Sequence, residues 1–182
     1  MDDLFDQIAK DLPNFPHEVI RDWLLPYAKT DGWPPTSERW AYLLPMAIND
    51  LDDLKLLKWS LVKLDLAQTQ YSRGTLSAFN GMYKAHVLRE NNAYSAQNMG
   101  GRRLINPLKY ILEKGDFPKP IVILVENGEH FILDGNHRFL AWHCAGNILN
   151  LIKQTGDSRP LEALGIQQAL PWRPIQSVWL AE

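Results

Sequence analysis

The chain has 182 residues, 46% of them apolar, and a formal net charge of −2. Its length allows one substantial hydrophobic core or two small ones. Its single cysteine, Cys144, excludes a disulfide framework and a zinc site built on cysteines. The first residues lack the basic start and long apolar stretch of a signal peptide, and no apolar run approaches the roughly 20 residues of a membrane span. These features predict a cytoplasmic protein with no membrane partner.

The small net charge conceals an uneven distribution along the chain. Residues 1–54 carry four basic and eleven acidic side chains, whereas residues 55–110 carry nine basic and two acidic ones. The basic segment 55–110 could attract a polyanion such as DNA, or it could dock on the acidic N-terminal part. The acidic N-terminal region could instead bind a protein partner.

The first 54 residues are predicted to form a helical N-terminal region, and residues 55–182 a second unit. In residues 1–54, apolar residues recur at helical spacing between prolines. Helices are expected over about 3–12, 17–29 and 37–49. The loop between the last two contains Trp33-Pro34-Pro35, which we expect to be exposed.

The second unit begins with alternating apolar and polar residues that predict a strand over about 59–66. A helix should start at Thr75 or Ser77 and run towards Glu90. Asn106-Pro107 has the pattern of a cap followed by a first helical proline, and Gly115 should end that helix.

A β-hairpin is the clearest local prediction. The apolar run 120–125 and the return strand 130–133 flank Asn127-Gly128, which is typical of a type I′ turn. A short helix should follow over 139–145 and end at Gly146, and a last strand should lie near 175–180. The predicted class is therefore α+β, a small mixed β-sheet with helices and a helical N-terminal extension.

Between the return strand and the following helix stands Asp134-Gly135-Asn136-His137-Arg138. A helix that begins after such a turn exposes backbone N–H groups that bind anions. The glycine allows a tight turn and the close approach of a phosphate, the asparagine can cap the helix, and the arginine offers a planar fork for phosphate oxygens. The histidine can donate a hydrogen bond or a proton, and the aspartate can hold the histidine, bind a metal ion or activate a hydroxyl. The pattern favours phosphate chemistry, although these residue types also form ordinary turns and caps.

With this motif in its strand–hairpin–helix context, the segment from about Trp59 to Gly146 resembles the ParB/sulfiredoxin-like superfamily. Members of that superfamily carry a (D)GxxR signature at the start of a helix, and small-molecule kinases among them read DGHHR. The resemblance implies a ParB/sulfiredoxin-like nucleotide-binding domain over residues 55–182, with ATP as the bound nucleotide and magnesium beside it.

Carried over position by position, the resemblance implies that Gly135, Asn136, His137 and Arg138 contact phosphates. Asp134 would lie near the magnesium ion or the attacking hydroxyl. The candidate catalytic residues are thus Asp134, His137 and Arg138. The resemblance leaves room for further phosphate contacts from Gly100-Gly101-Arg102-Arg103, which we place just before the second helix.

Two departures from the superfamily narrow the function. Sulfiredoxin chemistry needs a cysteine where this chain has Asn136, so Cys144 is expected to be a buried packing residue. Partition proteins of the ParB type need a helix-turn-helix domain downstream, and the residues after Gly146 are too few and too rich in proline for one.

Three functions stay open at this point. The favoured one is ATP hydrolysis coupled to DNA cleavage or binding, as in plasmid-encoded relatives of this fold that inhibit DNA transfer and so act in fertility inhibition. The second is a small-molecule kinase similar to the free-serine kinases, which the DGNHR match supports. The third is a non-enzymatic regulatory or inhibitor protein that docks on a protein partner.

Overall fold

The computed structural model describes residues 3–35, 48, 50–95 and 100–182. Within them, four strands form one mixed sheet with the order β1-β4-β2-β3. The strands are β1 (Trp59–Asp65), β2 (Ile121–Glu126), β3 (Glu129–Asp134) and β4 (Ile175–Ala181). Strand β4 is antiparallel to β1 and parallel to β2, and β2 is antiparallel to β3. The predicted α+β class is confirmed.

The N-terminal helices cover one face of this sheet. They are α1 (Asp3–Asp11), α2 (His17–Val19), a π-helical turn (Ile20–Leu24), α3 (Leu25–Asp31) and α4 (Leu51–Leu56). Their apolar residues, including Trp23 and Leu54, share one core with Val122, Leu124 and Leu133 of the sheet. The predicted helix over 37–49 lies outside the described residues, apart from Ile48.

The other face of the sheet is covered by later helices. These are α5 (Arg73–His86), α6 (Gly100–Lys114), α7 (Asn136–Thr155) and α8 (Arg159–Ala163). Leu112 of α6 and Leu140 of α7 pack with Ile121 and Ile123 of β2 in a second core. Since successive residues of a strand point to opposite faces, the buried part of β2, Ile121 to Leu124, must be apolar at every position to meet both cores.

The predicted hairpin between β2 and β3 is present. Asn127 and Gly128 have φ values of 52° and 78°, and a type I′ turn requires positive φ at both central residues. The pairing shifts between Val122, which lies opposite Asp134, and Ile123, which lies opposite Ile132. The resulting bulge at Leu133 bends the strand immediately before the DGNHR motif.

Two helix boundaries differ from the sequence prediction. Helix α6 begins at Gly100, so Pro107 lies inside it rather than at its first position. Helix α7 continues through Gly146 to Thr155, where Gly156 ends it with a φ of 72°. Gly146 instead lies against an aromatic ring: a Cβ there would be 3.0 Å from Cε2 of Trp172, closer than most side-chain contacts. The glycine admits an aromatic ring against the helix and does not stop it.

The predicted exposure of the Trp33-Pro34-Pro35 loop is wrong for its tryptophan. Trp33 is half-buried, and its indole N–H donates a hydrogen bond of 2.8 Å to Oδ2 of Asp11. The ring also packs against the first core. This loop therefore helps to attach α1 rather than presenting an aromatic side chain to a partner.

Candidate anion-binding site at the start of helix α7

The DGNHR motif lies where the structure joins β3 to α7. Asp134 ends the strand, Gly135 is the residue before the helix, and Asn136 is its first residue. The predicted cap by Asn136 is wrong, because no side-chain hydrogen bond caps this helix. The first N–H groups of α7 are therefore not taken up by an asparagine side chain.

Gly135 is required by the backbone and by a neighbouring strand. Its φ is 99°, a conformation that residues with a Cβ rarely adopt. A Cβ at this position would also lie 2.5 Å from Cγ2 of Ile121 in β2. The absence of a Cβ at Gly135 thus allows the turn to lie close to strand β2.

Arg138 is engaged within the fold. Its NH1 group donates to the carbonyl oxygens of Lys119 and Pro120, at 2.9 and 2.8 Å. Its NH2 group donates to Oδ2 of Asp134. The side chain is only 14% exposed. The guanidinium fork therefore ties the first turn of α7 to the segment that enters β2, and these contacts occupy both of its terminal nitrogens.

Asp134 is turned towards Arg138 and the N-terminal helices. Burial raises the pKa of its carboxyl group, against the opposing effects of Arg138 and the Gly135 N–H. The charge of Asp22 raises that pKa further, and Asp22 itself pairs with Lys119 at 2.6 Å. The partners of Asp134 are thus Arg138 and a backbone N–H, and the proposed bond to His137 is replaced by these.

The carboxylate of Asp134, which was predicted to bind magnesium, is paired with Arg138 in the structure. In the described ranges there is also no group of three or more His, Cys, Asp or Glu side chains that could hold a metal ion. Magnesium beside Asp134, held together with the phosphates of a nucleotide, stays a prediction.

His137 is not part of that ion pair and lies among basic side chains from two other helices. Its ring centroid is 5.8 Å from that of His86, the last residue of α5. Burial, and then the charges of Arg103 and His86, lower the pKa of His137 to about 4. We call His86, Arg103 and His137 the His137 cluster. At neutral pH the ring of His137 is uncharged and can accept or donate a hydrogen bond.

The two predicted phosphate-binding arginines of α6 have different positions. The sequence analysis placed Gly100 to Arg103 just before this helix. In the structure they form its first turn. Both side chains are exposed, but only Arg103 acts electrostatically on His137. Of the two, only Arg103 joins the cluster.

His86 is the site residue that sequence reasoning missed. Nothing in its local sequence marks it, because it stands at the end of an ordinary amphipathic helix. It reaches His137 only because α5 packs on α7.

The arrangement suits an anion. Helix α7 is 20 residues long, and the partial positive charge at its N-terminus lies beside the three basic side chains of the His137 cluster. A phosphate there could accept hydrogen bonds from Arg103 and the imidazoles. Its negative charge would oppose the effects of burial and of the nearby charges, which now lower the pKa of His137.

Comparison of this chain with protein-family models, with curated proteins and with solved structures finds no match. The resemblance to the ParB/sulfiredoxin-like superfamily therefore depends on the motif and its context alone, and it stays a prediction. Within the described part of the chain, none of the helices is both long and apolar enough to cross a membrane.

Proposed function

We propose that this chain binds a nucleotide, ATP in the first instance, with its phosphates on the His137 cluster and the first turn of α7. The observation that carries the proposal is the meeting of His86, Arg103 and His137 from three helices at one helix N-terminus. The charge of Arg103 beside the two imidazoles disfavours protonation of His137, and a bound phosphate would counter that effect.

The activity we propose for this site is ATP hydrolysis that serves DNA binding or cleavage. Support comes from the superfamily resemblance and from the basic segment 55–110, much of which lies on α5 and α6. His137 would accept the proton, because it is neutral near pH 7 and a bound phosphate would raise its pKa from about 4 towards the working pH. Arg103 would offset charge on the phosphates, and Arg138 would hold the turn in place. Magnesium would arrive with the nucleotide.

The test is a calorimetric titration of ATP and magnesium into the wild-type protein and three variants. His137→Ala and Arg103→Ala should each weaken binding by roughly 10-fold to 100-fold, since each removes a charge-assisted hydrogen bond to phosphate. Lys114→Ala is the matched control. It removes one charge from the opposite end of α6 and should leave affinity within about twofold.

Product analysis then separates the activities. Release of inorganic phosphate that DNA stimulates, together with DNA cleavage, supports the proposed function. Transfer of the phosphate to free serine would instead favour the kinase. If the wild-type protein does not bind ATP at millimolar concentration, or if the folded His137→Ala and Arg103→Ala variants bind it normally, the proposed site is wrong.

A further inference from the structure

A concave surface lies between α5 and α7, and its lining includes no member of the His137 cluster. This groove has a volume of about 590 Å³, which is within the usual range for ligand sites. Its lining is dominated by aromatic rings, with two amides at one end. The side chains that matter here are Phe79, Phe139, Trp142, Asn147, Asn150 and Trp172.

The rings form a continuous series along the groove. Centroids are 5.5 Å apart between Phe79 and Phe139, 5.6 Å between Phe139 and Trp142, and 4.9 Å between Trp142 and Trp172. Both indole N–H groups already have partners: Trp142 donates to the carbonyl of Arg173, and Trp172 donates to the carbonyl of Trp142. The rings are thus fixed in place, with their polar atoms satisfied. Phe139 and Trp142 are buried, so the rings that a bound molecule can reach are those of the partly buried Phe79 and Trp172, which the two core rings hold in place.

The polar groups of the groove are uncharged at neutral pH. Asn147 and Asn150 lie one helical turn apart on α7 and are exposed. Burial lowers the pKa of His143, whose ring packs edge-on against Phe79. Each asparagine offers both a donor and an acceptor. A flat ring with donors and acceptors at its edge, such as a nucleobase, matches this combination.

A basic depression of about 520 Å³ adjoins the groove and shares Leu76 with it. Arg73 and Lys84 line this depression, together with Ser77 and Asn80. Residues 73–86 include no aspartate or glutamate, so helix α5 contributes only positive charge to this surface. Arg73 and Lys84 are both exposed and are separated by about 16 Å along the helix. A chain of phosphates is the natural complement of such a stripe.

We propose that the α5–α7 groove binds a base of single-stranded nucleic acid while Arg73 and Lys84 contact the flanking phosphates. Aromatic platforms beside a basic track are how proteins hold single strands, whereas the faces of duplex bases are covered by their neighbours. This proposal rests on the proposed action on DNA and specifies it further, because it names single-stranded DNA as the form that is bound. Its residues are separate from the His137 cluster.

The test is fluorescence anisotropy of a fluorescein-labelled decamer of thymidylate, compared with an abasic decamer and a duplex of the same length. We expect the abasic decamer to bind roughly tenfold or more weakly, because it keeps the phosphates and lacks the rings. Asn147→Asp, which places a negative charge in the groove, should weaken binding of the thymidylate decamer by a similar factor. Arg73→Ser and Lys84→Ser should each reduce the salt dependence of binding by about one phosphate contact.

Lys10→Ser is the control, because it removes one exposed charge from α1 and should leave strand binding unchanged. All of these variants alter exposed side chains, and a thermal melt checks that each folds. Equal binding of the abasic and thymidylate decamers, or of the duplex, would overturn the proposal. Complete displacement of the labelled decamer by an equal concentration of free thymidine monophosphate would also overturn it. That result would show that the groove binds mononucleotides.

The two proposed sites can fail separately. His137→Ala should retain strand binding, and Asn147→Asp should retain ATP binding. If strand binding is lost in His137→Ala and kept in every folded groove variant, the groove proposal is wrong. If wild-type protein binds the strand and not ATP, the nucleotide proposal is wrong and the groove proposal stands.

Discussion

Asp134 and Arg138, the acid and the base of the DGNHR motif, form an ion pair with each other. The pair spans one turn at the start of α7, with 23% and 14% of the two side chains exposed. Arg138 also donates to two carbonyl groups in the segment that enters β2. The residues of the motif therefore have two different roles. Asp134, Gly135 and Arg138 stabilise the junction of β3, β2 and α7. His137 instead faces the last residue of α5, His86, and Arg103 in the first turn of α6.

Removal of Arg138 should reduce stability more than it affects any ligand. In Arg138→Ala, three hydrogen bonds are lost and the half-buried Asp134 carboxylate has no cation beside it. We expect the free energy of unfolding to fall by about 3 kcal/mol. Urea denaturation at pH 7 measures this change.

Arg159→Ala provides a reference for the Arg138 experiment, because it breaks an exposed pair with Asp157 and should change stability little. An Arg138→Ala variant as stable as wild type, with ATP affinity lost, would contradict our interpretation. It would place the guanidinium on the phosphates, as the superfamily resemblance implies.

Cys144 should behave as an unreactive thiol. It lies half-buried on α7, and burial raises its pKa to about 11. The thiolate is the reactive form of cysteine. At pH 8 the fraction of Cys144 present as thiolate is therefore roughly 100-fold below that of a free cysteine. We expect a disulfide reagent to modify the native protein at least that much more slowly than the urea-unfolded chain. Rapid modification of the native protein would show that the thiol is accessible and would reopen thiol chemistry for this fold.

Binding of ATP should be linked to protonation of His137. In the free protein its pKa is lowered to about 4, chiefly by burial and then by Arg103 and His86. A bound phosphate would raise that pKa, because it favours the charged imidazole. The complex then holds more protons than the free protein between the two pKa values, so affinity should increase as pH falls from 7 towards 5.

Calorimetry in two buffers of different ionisation enthalpy measures this proton uptake. The nucleotide takes up or releases protons of its own, so His137→Ala serves as the reference. Uptake in the wild-type protein should exceed uptake in the variant. Equal values in the two proteins would remove His137 from the phosphate site.

The sequence predicted those elements whose signals are local. The Asn127-Gly128 turn and the β2–β3 hairpin were predicted because positive φ and apolar runs are encoded by adjacent residues. The end of α7 was missed because the role of Gly146 depends on packing with a distant residue. Gly146 resembles a helix end in sequence, but its lack of a Cβ leaves room for the ring of Trp172, 26 residues later.

The site was predictable only as far as its motif. The sequence indicated that Asp134 to Arg138 form a strand-to-helix turn, and the structure confirms that placement. It could not show that Arg138 would bind the acid four residues before it and two carbonyl groups. Nor could it bring His86 to His137, since that contact arises from the packing of α5 on α7.

Gly135→Ala should destabilise the protein for two separable reasons. The positive φ of 99° opposes any Cβ, and the added methyl group would lie 2.5 Å from Ile121. We expect the free energy of unfolding to fall by roughly 2–4 kcal/mol, from left-handed strain and overpacking together. Gly128→Ala isolates the first effect, because its φ is 78° and nothing lies within 4 Å of an added Cβ. That control should lose only about 1 kcal/mol.

Urea denaturation of the two glycine variants gives the difference directly. A larger loss in Gly135→Ala assigns this glycine to the contact between the turn and β2, as the distance to Ile121 indicates. Equal losses would mean that the turn moves away from the strand at little cost. The glycine would then be needed only for its φ, and a phosphate could approach the turn at that position as the superfamily resemblance implies.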